Sequence, residues 1–419
     1  MTNIWKIPKR RFEEFLNDGA WEQRKLDEVV DVLDGDRGIN YPNGDELQES
    51  GHTLFLSATN VTRNGFEFND NQYITEEKSN RLGNGKLIVD DIVLTSRGSI
   101  GHIAWYNADA HRRVPFARIN SGMLILRSKG SVTSSFIAQF LKSPLGKKQI
   151  DLISFGSAQP QLTKKDVSNY LVSFPCDSNE QTQLANFFDH FDNLITLQQR
   201  KLEKVKNLKS AYLAKMFPKE GEKYPELRFA GFTEAWEQRE LKSLGDVLTG
   251  NTPPISEKAN WTDDKKGHVW ITPTDINSLV MTDSERHLSD TGWEKARTVP
   301  AESVLITSIA SIGKNAINAV PSAFNQQINA IVPLENDAYF ILSAMLKETH
   351  RFASVAGQTA TAIINKTEFE KFTITVPILD EQIAIGQFFA TLDHLITLQQ
   401  RKLDKLKNIK QAYLNEMFV

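Results

Sequence analysis

The chain is written twice, and any fold has to accommodate that. Ala20-Trp21-Glu22-Gln23-Arg24 recurs as Ala235-Trp236-Glu237-Gln238-Arg239. Residues 20–35 match 235–250 at 10 of 16 positions, and both stretches end Asp-Val-Leu-x-Gly, at Gly35 and Gly250. Residues 180–217 match 381–418 at 23 of 38 positions, with Leu194–Leu202 identical to Leu395–Leu403. Long internal repeats mean that one structural unit is built more than once. The segments between the matching stretches diverge in length and sequence. The organisation is therefore variable module, constant segment, variable module, constant segment.

The constant segments read as helices. Leu202, Val205, Leu208, Tyr212 and Met216 form an apolar stripe of helical period, and Leu403, Leu406, Ile409, Tyr413 and Met417 repeat it. Neither stripe is expected to face water, and a lone helix of this kind is marginal. Pairing the two copies antiparallel buries both seams, with Leu202, Val205, Leu208, Tyr212, Leu403, Leu406, Ile409 and Tyr413 as the pairing residues. Such a pairing of near-identical helices creates a pseudo-two-fold relation. Basic residues crowd the outer faces: Arg200, Lys201, Lys204, Lys206 and Lys209, then Arg401, Lys402, Lys405, Lys407 and Lys410. They read either as a solvated surface or as contacts to phosphates or an acidic partner.

The variable segments read as α/β. Short β-like runs recur at 52–56, 87–89, 92–95 and 123–126, then at 269–271, 304–306 and 330–332. One helix is expected from Ser134 to Ile150 and its counterpart from Asp337 to Phe352. Ser99-Ile-Gly101 corresponds to Ser311-Ile-Gly313, so the modules share a fold and differ in surface. Trp21 and Trp236 read as core residues that open each module. The fold class is α+β: two similar α/β domains joined by two long helices packed as an antiparallel coiled-coil pair. The expected boundaries are 1–175 for the first module with its leader and 176–217 for the first helix. A linker at 218–227, the second module at 228–377 and the second helix at 378–419 follow.

Composition narrows the function. No apolar run approaches the roughly 20 residues of a membrane span, and no secretory signal is read at the N-terminus. Cys176 is the only cysteine, so a multi-cysteine metal site and an intramolecular disulfide are excluded. A cytoplasmic location is the expectation. The eight histidines never take H-x-x-x-H or H-E-x-x-H spacing, and Gly85-Lys86 and Gly313-Lys314 lack the rest of a phosphate loop. Asn251-Thr-Pro-Pro-Ile255 has only a superficial likeness to an amino-methyltransferase loop. It carries Thr252 before the prolines and Ile255 in place of an aromatic. A catalyst, such as a duplicated single-chain DNA methyltransferase or nuclease, thus lacks its motifs. A pure scaffold has no reason to vary only between constant helices.

Twice over, the order runs Trp-Glu-x-x-x-Leu, a variable stretch, Pro followed by Glu-Gln, and a long helix. The carriers are Trp21-Glu22 with Leu26, Trp236-Glu237 with Leu241, Pro175 with Glu180-Gln181, and Pro377 with Glu381-Gln382. Leu227-Arg-Phe-Ala-Gly-Phe232 and Trp270-Ile-Thr-Pro-Thr-Asp275 belong to the same pattern, and Phe55-Leu-Ser-Ala-Thr-Asn60 departs from it. Over essentially its whole length the chain resembles the specificity subunits of type I restriction–modification systems. That resemblance implies two target recognition domains, each reading a half-site of double-stranded DNA. It also implies a non-catalytic role as scaffold for two modification (methyltransferase) subunits and for restriction/translocation subunits. This chain is then expected to hold no cofactor, with S-adenosylmethionine, ATP and Mg handled by those partners.

Arginine suits guanine bidentately, and Asn or Gln suits adenine. Candidate DNA-binding residues in the first module are Arg63, Arg81, Arg97, Arg112, Arg113 and Arg118, with Gln159 and Gln161 in a polar loop after Gly156. In the second they are Lys314, Asn325, Gln326, Gln327 and Arg351, with Gln358 and Thr359 after Gly357. The alternative for each is a surface or capping residue. The formal net charge of −3 is unusual for a DNA reader, so basic charge has to be local or supplied by partners.

Overall fold

The computed structural model describes residues 6–154, 161–356 and 362–419. They form two units: residues up to Arg200 together with Arg401–Val419, and Lys201–Gln400. The sequence reading placed the boundaries at the helix ends. The unit boundaries instead fall in the middle of both long helices, because each half-helix buries its apolar face in a module core.

In the first unit a four-stranded antiparallel sheet has the order Val30–Asp34, Met123–Ser128, Asp91–Thr95, Ile103–Tyr106. Its β-branched and aliphatic runs are buried on both faces. One face packs against Phe136, Ile137 and Phe140 of the helix Ser134–Lys142. The other meets a smaller sheet in which Thr53–Leu56 pairs parallel with Ala117–Ile119. The opening strand Glu22–Lys25 pairs with the closing strand Leu171–Phe174 and so ties the two ends of the module together. The second unit repeats this plan. Gly245–Thr249, Ile328–Pro333, Val304–Thr307 and Asn315–Asn318 form its central sheet, with Val280–Met281 added at the edge. His268–Ile271 pairs parallel with Ser322–Phe324, and Glu237–Glu240 pairs with Thr373–Val376.

The repeated motifs act as pins. Glu180 and Glu381 are fully buried and take bidentate bonds from Arg11 and Arg228, at 2.6 and 2.7 Å. Each arginine is raised above its ordinary pKa, chiefly by that hydrogen bond. Trp21 also donates to Glu180, at 3.4 Å. Gln181 and Gln382 donate to the carbonyls of Pro175 and Pro377, at 2.9 and 3.0 Å. They also accept from the amides of Thr133 and Asp337, where the next helix begins. The Pro…Glu-Gln pattern therefore fixes the start of each long helix on its module.

The long helices run Ser178–Lys215 and Leu379–Met417, 38 and 39 residues. Within the first unit Phe187 stacks edge-on against Tyr413, and Lys410 pairs with Asp192 at 2.5 Å. Within the second unit Tyr212 meets Phe388 edge to face, and Lys209 pairs with Asp393 at 2.6 Å. As one partner's number rises the other's falls, so the helices pack antiparallel. Phe418 closes the first core against Trp21, Phe136 and Phe188. Phe217 does the same for the second against Trp236, Phe340 and Phe389.

Several expectations change. Leu208 is 41% exposed and leaves the pairing stripe, while Leu202 and Leu403 are buried and Val205, Leu406, Ile409, Tyr212 and Tyr413 half-buried. Two three-residue steps from Leu202 turn Leu208 by about 120° around an α-helix, to the edge of the stripe, and the following four-residue steps bring the row back. Lys209 and Lys410 are not on an outer face but are seam residues with carboxylate partners. The run 87–89 is not a strand: Ile88 and Val89 are exposed ahead of a turn at Asp90, whose φ is +74°. The helix expected over 134–150 breaks at Ser143, because Pro144 has no amide to continue the ladder. Its counterpart breaks at Glu348.

Candidate nucleic-acid interface

The register of the central sheet puts three loops of each module at one end. In the first module Asp34 pairs with Leu124, and Met123 with Thr95. The loops that follow Asp34 and Thr95 and precede Met123 therefore lie side by side. Gly35 permits this: a Cβ there would stand 2.4 Å from the carbonyl oxygen of Asn120. Gly250 has the same role, 2.3 Å from the carbonyl oxygens of Phe324 and Asn325. This close approach is the physical reason for the repeated Asp-Val-Leu-x-Gly.

The loops share a hydrogen-bond frame. Ser96 donates from its amide to the Gly122 carbonyl, and Ser308 to that of Gln327, both at 2.8 Å. The Ser96 and Ser308 carbonyls accept from the amides of Leu162 and Ile364, at 2.9 and 2.8 Å. Thr95 and Thr307 close the turns by donating to the carbonyls of Ser99 and Ser311. Their oxygens accept from the amides of His102 and Lys314, both at 2.9 Å. Beside this frame Ser57 and Thr272 are capped by Asn60 and Asp275, at 2.9 and 2.8 Å. The departure of Phe55–Asn60 from the second module's pattern thus leaves the backbone turn unchanged.

Among the candidates, Arg97 and Gln161 lie at this end of the first module, exposed and in contact, Nε to Oε1 at 3.1 Å. Asn325, Gln326, Gln327 and Lys314 lie at the matching end of the second. Gln326 is exposed and accepts from Thr252 at 2.6 Å. Lys314 is exposed, with its Nζ on the Pro273 carbonyl at 3.0 Å. Asn325 is buried and bonds Gln327, which makes it a brace for the loop.

The other arginines have different surroundings. Arg63 is exposed in the turn after Val61–Thr62. Arg81 pairs with Glu77 and Arg112 with Asp109 on short exposed helices, and Arg113 lies 4.9 Å from the Phe68 ring. Arg118 is not available to a ligand. Arg118 is only 4% exposed and holds Ser79 and the carbonyls of Leu82, Gly83 and Asn84. Burial lowers its pKa, with Asp36 opposing the shift, and its donors are spent inside the fold. Arg351 binds Glu348 at 2.6 Å and the Thr373 carbonyl, over the Phe372 ring at 4.1 Å. These contacts clamp the helix break. Gln159, Gln358 and Thr359 lie outside the described residues.

Arg37, outside the candidates named from sequence, is also exposed at this end and donates to the Ser121 carbonyl at 3.3 Å. Its signal was its place two residues after Gly35. Asp36 next to it is held below the usual carboxylate range by the amides of Gly38 and Gly83, against a smaller opposing effect of burial. The loop is therefore anchored by an ionised group.

No helix among the described residues is long and apolar enough to cross a membrane. The model of the type I restriction modification DNA specificity domain matches residues 19–207 and 233–408, one copy per module. The chain is 28% identical over 186 residues to the HindI specificity subunit of Haemophilus influenzae, covering 42% of this chain and 39% of that protein. It is 21% identical to a putative MjaX specificity subunit of Methanocaldococcus jannaschii across 99% of this chain and 94% of that one. The S subunit of a type I system from M. genitalium shares the fold, with a TM-score of 0.67 at 13% identity over 98% of this chain and 99% of that one. With both modules matched, the chain belongs to the type I restriction–modification specificity subunits.

Proposed function

We propose that this chain reads a bipartite, asymmetric DNA target, one half-site per module, and carries modification and restriction subunits that perform the chemistry. The observation that supports this most is the twofold use of one loop frame with different side chains on it. Arg37, Arg97 and Gln161 decorate the frame in one module; Thr252, Ile309 and Gln326 decorate it in the other. A shared frame with differing donors and acceptors is what two distinct base sequences require. The net charge of −3 leaves non-specific phosphate attraction to local arginines and lysines and to the partners. In this reading the chain has no cofactor of its own. S-adenosylmethionine belongs to two modification subunits, and ATP and Mg to the complex.

The test is module exchange followed by methylome sequencing in the host. Replacing residues 228–377 by the matching module of a relative is expected to change one half of the methylated sequence and preserve the other. An unchanged target, or one altered in both halves, contradicts the reading. The purified chain with target DNA, S-adenosylmethionine and Mg is expected to show no turnover, and turnover there restores the alternative of a single-chain enzyme.

A further inference from the structure

The hydrogen bonds of the two frames correspond one to one, so the side chains at equivalent points can be compared directly. Arg97 follows Ser96 as Ile309 follows Ser308, and Gln161 precedes Leu162 as Ile363 precedes Ile364. In the first module the two positions touch through a hydrogen bond of 3.1 Å. In the second, Ile309 and Ile363 form an isolated antiparallel bridge. Equivalent positions thus carry a polar pair in one module and an apolar pair in the other. The frame persists where it is unfavourable: Gly98 has φ +70°, and its counterpart Ala310 holds φ +62° despite its Cβ. Ile363 is 47% exposed, and packing does not account for it. Gln161 engages Nε of Arg97, which orients the guanidinium and leaves its terminal amino groups out of that contact.

Resting on the half-site reading above, we infer that this pair position selects a base in each half-site. Arg97, oriented by Gln161, reads the O6 and N7 edge of a guanine in the first. Ile309 and Ile363 pack on the 5-methyl of a thymine in the second. Arginine is the common partner of guanine in the major groove, and an apolar side chain is the natural partner of the thymine methyl. Arg97 is a direct reader and Gln161 a positioning residue.

The experiment is competition binding by the full chain assembled with its modification subunits, using duplexes varied one base at a time across both half-sites. Wild type is expected to demand guanine at one position of the first half-site. Arg97→Ala is expected to lose about 5- to 150-fold of that discrimination while every other position stays unchanged. Arg97→Gln is expected to shift the preference to adenine. Gln161→Ala is expected to weaken the guanine preference less, leaving affinity for other bases unaltered. In the second half-site, uracil in place of one thymine is expected to weaken wild type but not Ile309→Ala. Equal melting temperatures exclude a folding defect. Uniform weakening of Arg97→Ala on all sequences marks a phosphate contact and overturns the inference, as does total loss of binding by the folded variant or an unchanged guanine preference. Those outcomes leave the half-site reading standing, because the module exchange tests it independently.

Discussion

The two modules solve the same packing problem with different residues, and the differences show which features the fold requires. Both bury a carboxylate under an arginine, but the first adds Trp21 as a donor to Glu180. In the second, Trp236 Nε1 has no hydrogen-bond partner among the described residues. Both start a helix where the long helix crosses. The first uses Thr133 and carries Ala185 at the long-helix position equivalent to Gly386; the second uses Asp337 beside Gly386. A Cβ on Gly386 would stand 2.1 Å from Asp337 Oδ1, so the larger cap and the smaller helix residue go together. At the helix break the first module has buried, neutral Ser143, and the second has ionised Glu348 between Lys347 and Arg351. The ion pin is common to both modules. The caps and breaks are local solutions.

The sharpest way to break this comparison is at the pins. Glu180→Ala leaves Arg11 buried and unpaired and is expected to cost about 3–5 kcal/mol in the first unit. Glu381→Ala is expected to cost less in the second, because Arg228 is more exposed and Trp236 loses nothing. Hydrogen exchange resolved by unit measures both, and equal losses would remove the role assigned to Trp21. Next in size, Gly386→Ala is expected to cost about 1 kcal/mol, since displacing the Asp337 cap outweighs the gain in helix propensity. Gly386→Ala with Asp337→Thr reproduces the first module's pairing and is expected to restore stability. Failure of that rescue in thermal melting would show that the pairing is not what couples the two sites.

The smallest effect concerns acid. Burial pushes Glu348 up, but hydrogen bonds from Arg351 and Lys347 outweigh it and hold the carboxyl below its ordinary range. A depressed folded pKa contributes stability above the unfolded value of about 4.3, lost as pH falls through the folded value. Segment 338–354 is therefore expected to lose protection below about pH 4, by roughly 1 kcal/mol or less. Segment 134–152 lacks this carboxylate, and Glu348→Gln is expected to flatten the difference. Hydrogen exchange corrected for its intrinsic pH dependence reads both segments, and identical acid profiles would contradict the contrast.

Much of the architecture was legible because repetition reports it: Trp21, Trp236 and the paired Pro…Glu-Gln signatures all mark real junctions. The helix break at Ser143 had a visible signal in Pro144, whereas the break at Glu348 had none. The interface was legible only in part. An exposed arginine and one that staples a loop have the same letter, and only burial and hydrogen-bond partners separate Arg97 from Arg118. Arg37 went unnoticed because its loop acquires meaning only once Gly35 lets that loop approach Asn120. Leu208 fits the apolar spacing, but two short steps from Leu202 carry it to the edge of the stripe.

The division of the long helices has a temporal side. The unit Lys201–Gln400 is one uninterrupted stretch, while the other is completed by Arg401–Val419, with Phe418 among its largest buried rings. On a ribosome moving at about 5–20 residues per second, the intervening 200 residues take about 10–40 s. Throughout that interval the first module has Trp21 and Phe136 without the aromatic ring that covers them. The module made first is thus the one whose core closes second.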